Sequence, residues 1–146
     1  MRRLSILVLH CLGDPAYALS FLNHHVFALQ KNHPEHDYLY HDAALPIPQY
    51  VVEQCFDTIV LDVTFLAARW ESPEFFQARK TAYAFVAESS AVKIAFPQDE
   101  YDCNVLLDDW MCEWKVDVVF SVIASGWDAL YPRYHKFGDI RLGYTG

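Results

Sequence analysis

Basic residues are scarce. Eleven Lys and Arg stand against 19 Asp and Glu in 146 residues, leaving a formal net charge of −8. Beyond the Arg2-Arg3 pair there is no basic cluster. The electrostatic footprint of a nucleic-acid binder is therefore missing, and attraction to an anionic membrane surface is equally disfavoured. No stretch approaches the roughly 20 apolar residues that a membrane-spanning helix requires. Arg2-Arg3 followed by Leu4 to Leu9 has the outline of a signal peptide. However, His10, Cys11, Gly13, Asp14 and Pro15 follow in place of a small-residue cleavage site, so a buried strand is expected there. The four cysteines, at 11, 55, 103 and 112, form no CxxC pair, which argues against a zinc site and a disulfide framework and for a reducing cytoplasm. Linkers, repeats and low-complexity segments are missing too, so residues 1–146 are expected to form a single domain.

What is present is an alternation of short apolar β-rich runs with segments of helical spacing, the pattern of βα units in a parallel sheet. Strands are expected at Leu4 to Leu9, Tyr38 to Tyr40, Thr58 to Val63, Val92 to Phe96, Asp117 to Val122 and Ile140 to Tyr144. Asp14-Pro15 reads as the start of a helix from Ala16 to Lys31 with Ala18, Phe21, Leu22, Val26 and Leu29 inward. A small helix is expected near Gln49 to Cys55. Ser72-Pro73-Glu74 opens another, whose inner face reads as Phe75, Ala78, Ala82, Phe85 and Val86. Asp102 is placed to cap a third, buried through Leu106, Leu107, Trp110, Met111 and Trp114. A short turn of helix follows at Trp127 to Tyr131. The fold class read from this order is α/β: a Rossmann-like doubly wound, mainly parallel six-stranded sheet with helices on both faces.

In such a sheet, ligands bind beyond the carboxyl ends of the strands. The first such loop, His10-Cys11-Leu12-Gly13-Asp14, has one glycine where a dinucleotide fingerprint has three, which argues against NAD. Its His10 is a candidate general base, against the plainer reading of a half-buried histidine bonded to backbone. Pro97-Gln98-Asp99-Glu100-Tyr101-Asp102 is the densest polar cluster. Its carboxylates, amide and phenol suit sugar or polyol hydroxyls, with Asp99 or Glu100 able to act as base if its pKa were raised. The alternative is a solvated acidic loop. Substrate contacts are assigned to Gly13, Asp14, Gln98, Tyr101 and Trp127. His33, His36, His41 and Asp42 carry metal-ligand chemistry, but a helix end, Pro34 and a strand separate them, so no metal site is expected. His24 and His25 are neighbours that cannot easily face one ligand together. A flavodoxin-like or receiver domain is disfavoured because the first loop lacks a paired acidic cluster.

The segments Phe96-Pro97-Gln98-Asp99-Glu100-Tyr101-Asp102, Val105 to Trp110, Val116 to Ser121, Trp127 to Pro132 and Ile140 to Gly146 resemble the amino-terminal part of bacterial glycosyltransferase-like proteins of the CgeB type. The resemblance covers the second half of the chain and extends to the first only in pattern. It implies the acceptor-side half of a two-domain GT-B enzyme, which moves a sugar from a nucleotide-sugar donor to an acceptor hydroxyl without cofactor or bound metal. It also implies that the donor-binding half is absent, since the sequence stops at Gly146, and that the chain alone has little transferase activity. A non-catalytic ligand-binding or protein-interaction module is the alternative. A partner is expected on an exposed apolar face near Trp127, Tyr131, Tyr134 and Phe137.

Overall fold

In the computed structural model, whose described residues are 2–14, 16 and 18–143, six strands form one sheet. They are β1 (Ser5–His10), β2 (Asp37–Asp42), β3 (Thr58–Leu61), β4 (Val92–Ala95), β5 (Val118–Ser121) and β6 (Asp139–Leu142). All five pairings are parallel and the order is β2-β1-β3-β4-β5-β6. The sheet is thus wholly parallel, as a Rossmann-like α/β domain requires. Its order is that of the flavodoxin-type doubly wound sheet, with the topological switch between β1 and β3.

The helices are α1 (Ser20–Asn32), α2 (Gln49–Glu53), α3 (Val63–Leu66), α4 (Pro73–Ala82), α5 (Ala84–Glu88), α6 (Asn104–Glu113) and α7 (Trp127–Leu130). Both sheet faces carry helix, but unequally. Leu7, Leu9, Ile59, Leu61, Ala95 and Val119 point into a large core shared with Phe65, Phe76, Tyr83, Val86, Leu107, Trp110 and Trp114. Ile6, Val8 and Val60 point the other way, against a small cluster that includes Leu29 of α1. This division follows from right-handed crossovers: only the β1-to-β2 connection moves in the direction that lays its helix on that second face. Beyond α1, this face is apolar and partly open. Phe96 and Phe120 stack at 5.1 Å, and Val92 and Val122 are 47% and 36% exposed.

Asp14 does not cap α1; its carboxylate accepts from the Ala16 amide instead, and the helix starts at Ser20 behind an uncapped Leu19. Pro15 lies outside the described residues, as does Tyr144 at the end of the predicted last strand. Phe21 is 49% exposed, and α1 faces inward with Val26 and, half-buried, Leu22, His25 and Leu29. The second strand runs the full six residues because each pairs with β1, whereas β3 ends at Leu61, where Asp62 caps α3. Ser72 caps α4 as expected, its hydroxyl accepting from the Phe75 amide.

The inner face of α4 and α5 is Phe76, Arg79, Tyr83 and Val86. Phe75, Ala78 and Ala82 lie outward. The i, i+3, i+7 spacing is satisfied by both sets, and the chosen one admits a buried arginine. At α6 the cap position belongs to Cys103 in a left-handed conformation, not to Asp102. Leu106 is exposed while Asp108 is buried, because its carboxylate accepts from the Arg133 and Tyr134 amides. Of the four aromatics expected to form an exposed patch, Tyr131 and Tyr134 are core residues and Trp127 is half-buried. Only Phe137, at 69%, is open.

Candidate functional site

Two polar clusters occupy the carboxyl edge of the sheet. The first sits over the β1/β3 switch. His10 closes β1 and is 8% exposed; its Nδ1 accepts from the Leu12 amide at 3.2 Å. A neutral imidazole that accepts at Nδ1 carries its proton on Nε2, so the free nitrogen of His10 offers an N–H and not a lone pair. Burial holds its pKa below the ordinary value, partly offset by the charges of Asp42 and Asp62. Those two carboxylates flank it from β2 and β3. Asp42 binds the Gly13 amide (3.0 Å) and the Ala44 amide (2.9 Å), tying the first loop to the end of β2. Gly13 is needed there because its φ is +70°.

Asp62 is 2% exposed. One oxygen accepts from the Thr64 amide (2.9 Å) and hydroxyl (2.6 Å), while that hydroxyl accepts from the Cys11 amide (2.9 Å). The other oxygen lies 2.8 Å from His25 Nδ1 on α1. A carboxylate only accepts, so Nδ1 of His25 carries a proton, and in the neutral ring Nε2 then holds the lone pair. The ring is half-buried, edge-on to Phe96 at 5.6 Å, beside a small cavity of about 120 Å³ lined by Val8, Val26, Leu29, Val60 and Asp62. An Asp-oriented imidazole whose second nitrogen is basic in the neutral ring can accept a proton from a hydroxyl.

The second cluster is the loop after β4. Arg69, 1% exposed, binds the carbonyls of Leu66 (3.0 Å), Gln98 (2.7 Å), Asp99 (3.2 Å) and Asp102 (3.2 Å), and lies over the Trp70 ring. Glu100 is fully buried: its carboxylate accepts from the Ser121 hydroxyl and Val122 amide, each at 2.9 Å, and from the Tyr131 hydroxyl. Burial and Glu100 together push the Tyr131 phenol far above its usual range. The carboxylate of Glu100 is thus occupied in holding this loop to β5, where solvent does not reach it. Asp99 and Tyr101 are exposed and weakly joined (3.4 Å), and Gln98 is half-buried. Trp127 donates from Nε1 to the Ile123 carbonyl at 2.7 Å. Asp14 is exposed.

Of the residues singled out from sequence, His10 and Gly13 therefore meet at the switch, with Asp14 on the same loop. Gln98, Asp99 and Tyr101 form the surface of a separate loop. His41 is buried against the Tyr83 hydroxyl (2.9 Å), while exposed His33 stacks on half-buried His36 beside Glu35, so those two meet and His41 stands apart from them. Sequence reasoning missed His25, Asp62 and Arg79. The capping signature Asp62-Val63-Thr64 is embedded in an apolar run, and His25 reads from sequence as half of a pair although one histidine suffices. Compared with known proteins, the chain matches no family model, no curated protein and no solved structure.

Proposed function

We propose that this chain binds a hydroxyl-bearing small molecule at the β1/β3 edge, and that it is the acceptor-side domain of a glycosyltransferase moving a sugar from a nucleotide-sugar donor to an acceptor hydroxyl. The observation that carries this reading is the His25–Asp62 pair, which leaves Nε2 as the basic nitrogen of the neutral His25 ring, with His10 in the field of the same Asp62 carboxylate. In this reading the acceptor hydroxyl donates to His25 Nε2. As the oxygen bonds to the sugar's anomeric carbon and the nucleotide leaves, its proton passes to Nε2, and the buried Asp62 carboxylate stabilises the imidazolium. His10 Nε2–H binds an adjacent acceptor oxygen. General-base help of this kind contributes about 10²–10⁴-fold. His25 thereby takes the proton-accepting role that sequence reasoning gave to His10, Asp99 or Glu100. The donor would be held by a partner domain, since no loop here has the glycines that cradle a pyrophosphate.

The test is thermal stability of the chain with simple methyl glycosides and with nucleotide-sugars, because binding to the native state raises the transition by mass action. The expected result is a saturable rise with a methyl glycoside that His25→Ala abolishes, and none with nucleotide-sugars. A rise with nucleotides alone, or none with any glycoside, contradicts the reading. A second reading, a non-catalytic binding or interaction module, draws support from the wholly internal use of Glu100 and Arg69. It predicts glycoside binding that is indifferent to His25→Ala.

A further inference from the structure

Arg79 is a buried charge with few partners among the described residues. It is 8% exposed, yet among the described residues no carboxylate pairs with it. Its Nη1 is buried without a hydrogen-bond partner, and Nη2 makes only a 3.9 Å approach to Cys11 Sγ. The guanidinium is held among aromatic rings instead, its Cζ lying 5.2 Å from the centroid of Phe65, 5.3 Å from Phe75 and 5.8 Å from Tyr83. Cation–π contacts offset part of the desolvation of such a cation but leave its donors unmet. Buried donors in native proteins are otherwise almost always paired.

Arg79 also lines an open groove of about 350 Å³ between α4 and the loop after β2. Tyr83 lines it too, and the remaining walls are apolar: Leu45, Pro46, Ile47 and Phe75, with Ala78 and Ala82 leaving space between them. The outward set Phe75, Ala78 and Ala82, which the sequence suggests is core, is the wall of this groove. The volume is that of a small-molecule site.

We propose that this groove binds a small organic acid, its carboxylate on the Arg79 guanidinium and its apolar body along Leu45, Ile47 and Phe75. A planar carboxylate suits one guanidinium edge. A phosphate needs further donors, and the groove supplies only the Tyr83 region besides. The site lies on the opposite face of the sheet from His25 and Asp62 and does not depend on the glycosyltransferase reading.

Calorimetric titration of the chain with hexanoate, hexanol and inorganic phosphate tests it. Hexanoate binds at one site and at least about tenfold more tightly than hexanol, as a charge-assisted hydrogen bond implies; phosphate does not bind. Arg79→Met removes that preference. Because this variant can lose stability, Ala78→Leu supplies an independent arm: it fills the groove, leaves Arg79 in place, and abolishes hexanoate binding without lowering the melting temperature. Equal binding of hexanoate and hexanol, binding of phosphate, or hexanoate binding unchanged in Ala78→Leu overturns the proposal, as does no binding of hexanoate at all.

Discussion

Asp62 Oδ1 lies 2.8 Å from His25 Nδ1, joining the end of β3 to α1 across the switch point of the sheet. The same carboxylate caps α3 through Thr64, so one buried anion fixes a helix on each face. Asp62→Ala should therefore cost about 3 kcal/mol, as expected when a buried, multiply bonded carboxylate is removed. Asp62→Asn, which retains the capping oxygen, should cost about 1 kcal/mol. Urea unfolding of the two variants checks the order.

Glu100 and Asp99 are adjacent and should behave oppositely. Glu100→Ala strips three donors, those of Ser121, Val122 and Tyr131, of a buried partner. A loss of about 3–5 kcal/mol follows. Asp99→Asn changes an exposed side chain that tolerates its positive φ of 45° equally well as asparagine, so stability should move by less than about 0.5 kcal/mol. Equal losses at the two positions would remove the structural role given to Glu100.

Two buried histidines set an acid limit. Burial lowers the pKa of His10, and burial together with the His10 and Arg79 charges lowers that of His41, from an ordinary 6.5. Below pH 6.5 the unfolded chain takes up protons at these positions before the native chain does, so stability falls as pH drops and is unaffected by these groups above 6.5. His10→Asn keeps an acceptor for the Leu12 amide and removes one of the two titrations. Melting temperatures at pH 7.5 and 5.5 should differ less in this variant than in the parent.

Cys103 adopts φ 54° at the start of α6 and is exposed. Left-handed backbone penalises residues other than Gly, Asn and Asp by about 1 kcal/mol. Cys103→Asn should stabilise the chain by about 0.5–1 kcal/mol, read from the chemical-denaturation midpoint; destabilisation would show that the thiol makes a contact worth more than the strain.

The sheet was legible in the sequence because its central strands are continuous apolar runs, which mark burial on both faces. Residues whose roles depend on tertiary placement were not. Spacing fits both stripes of α4 and apolarity favours Phe75, Ala78 and Ala82; the fold instead turns Phe76 and Tyr83 inward and buries Arg79 with them. Glu100 reads as an acidic loop residue until Ser121 and Tyr131, 21 and 31 positions on, are brought to it. His10 was found from its position at a strand end, but its proton-donating tautomer depends on the Leu12 amide. His25 was hidden because its partner is 37 residues away on another element.

The most direct test of the site is nitrogen-resolved NMR of the histidine rings during titration with a methyl glycoside. The account predicts that His25 begins protonated at Nδ1 and His10 at Nε2, and that the ring resonances of both shift together on saturation while those of His33 and His36, beyond the far end of α1, stay still. Protonation of His25 at Nε2, or glycoside-induced shifts that bypass His25 and His10, would contradict it.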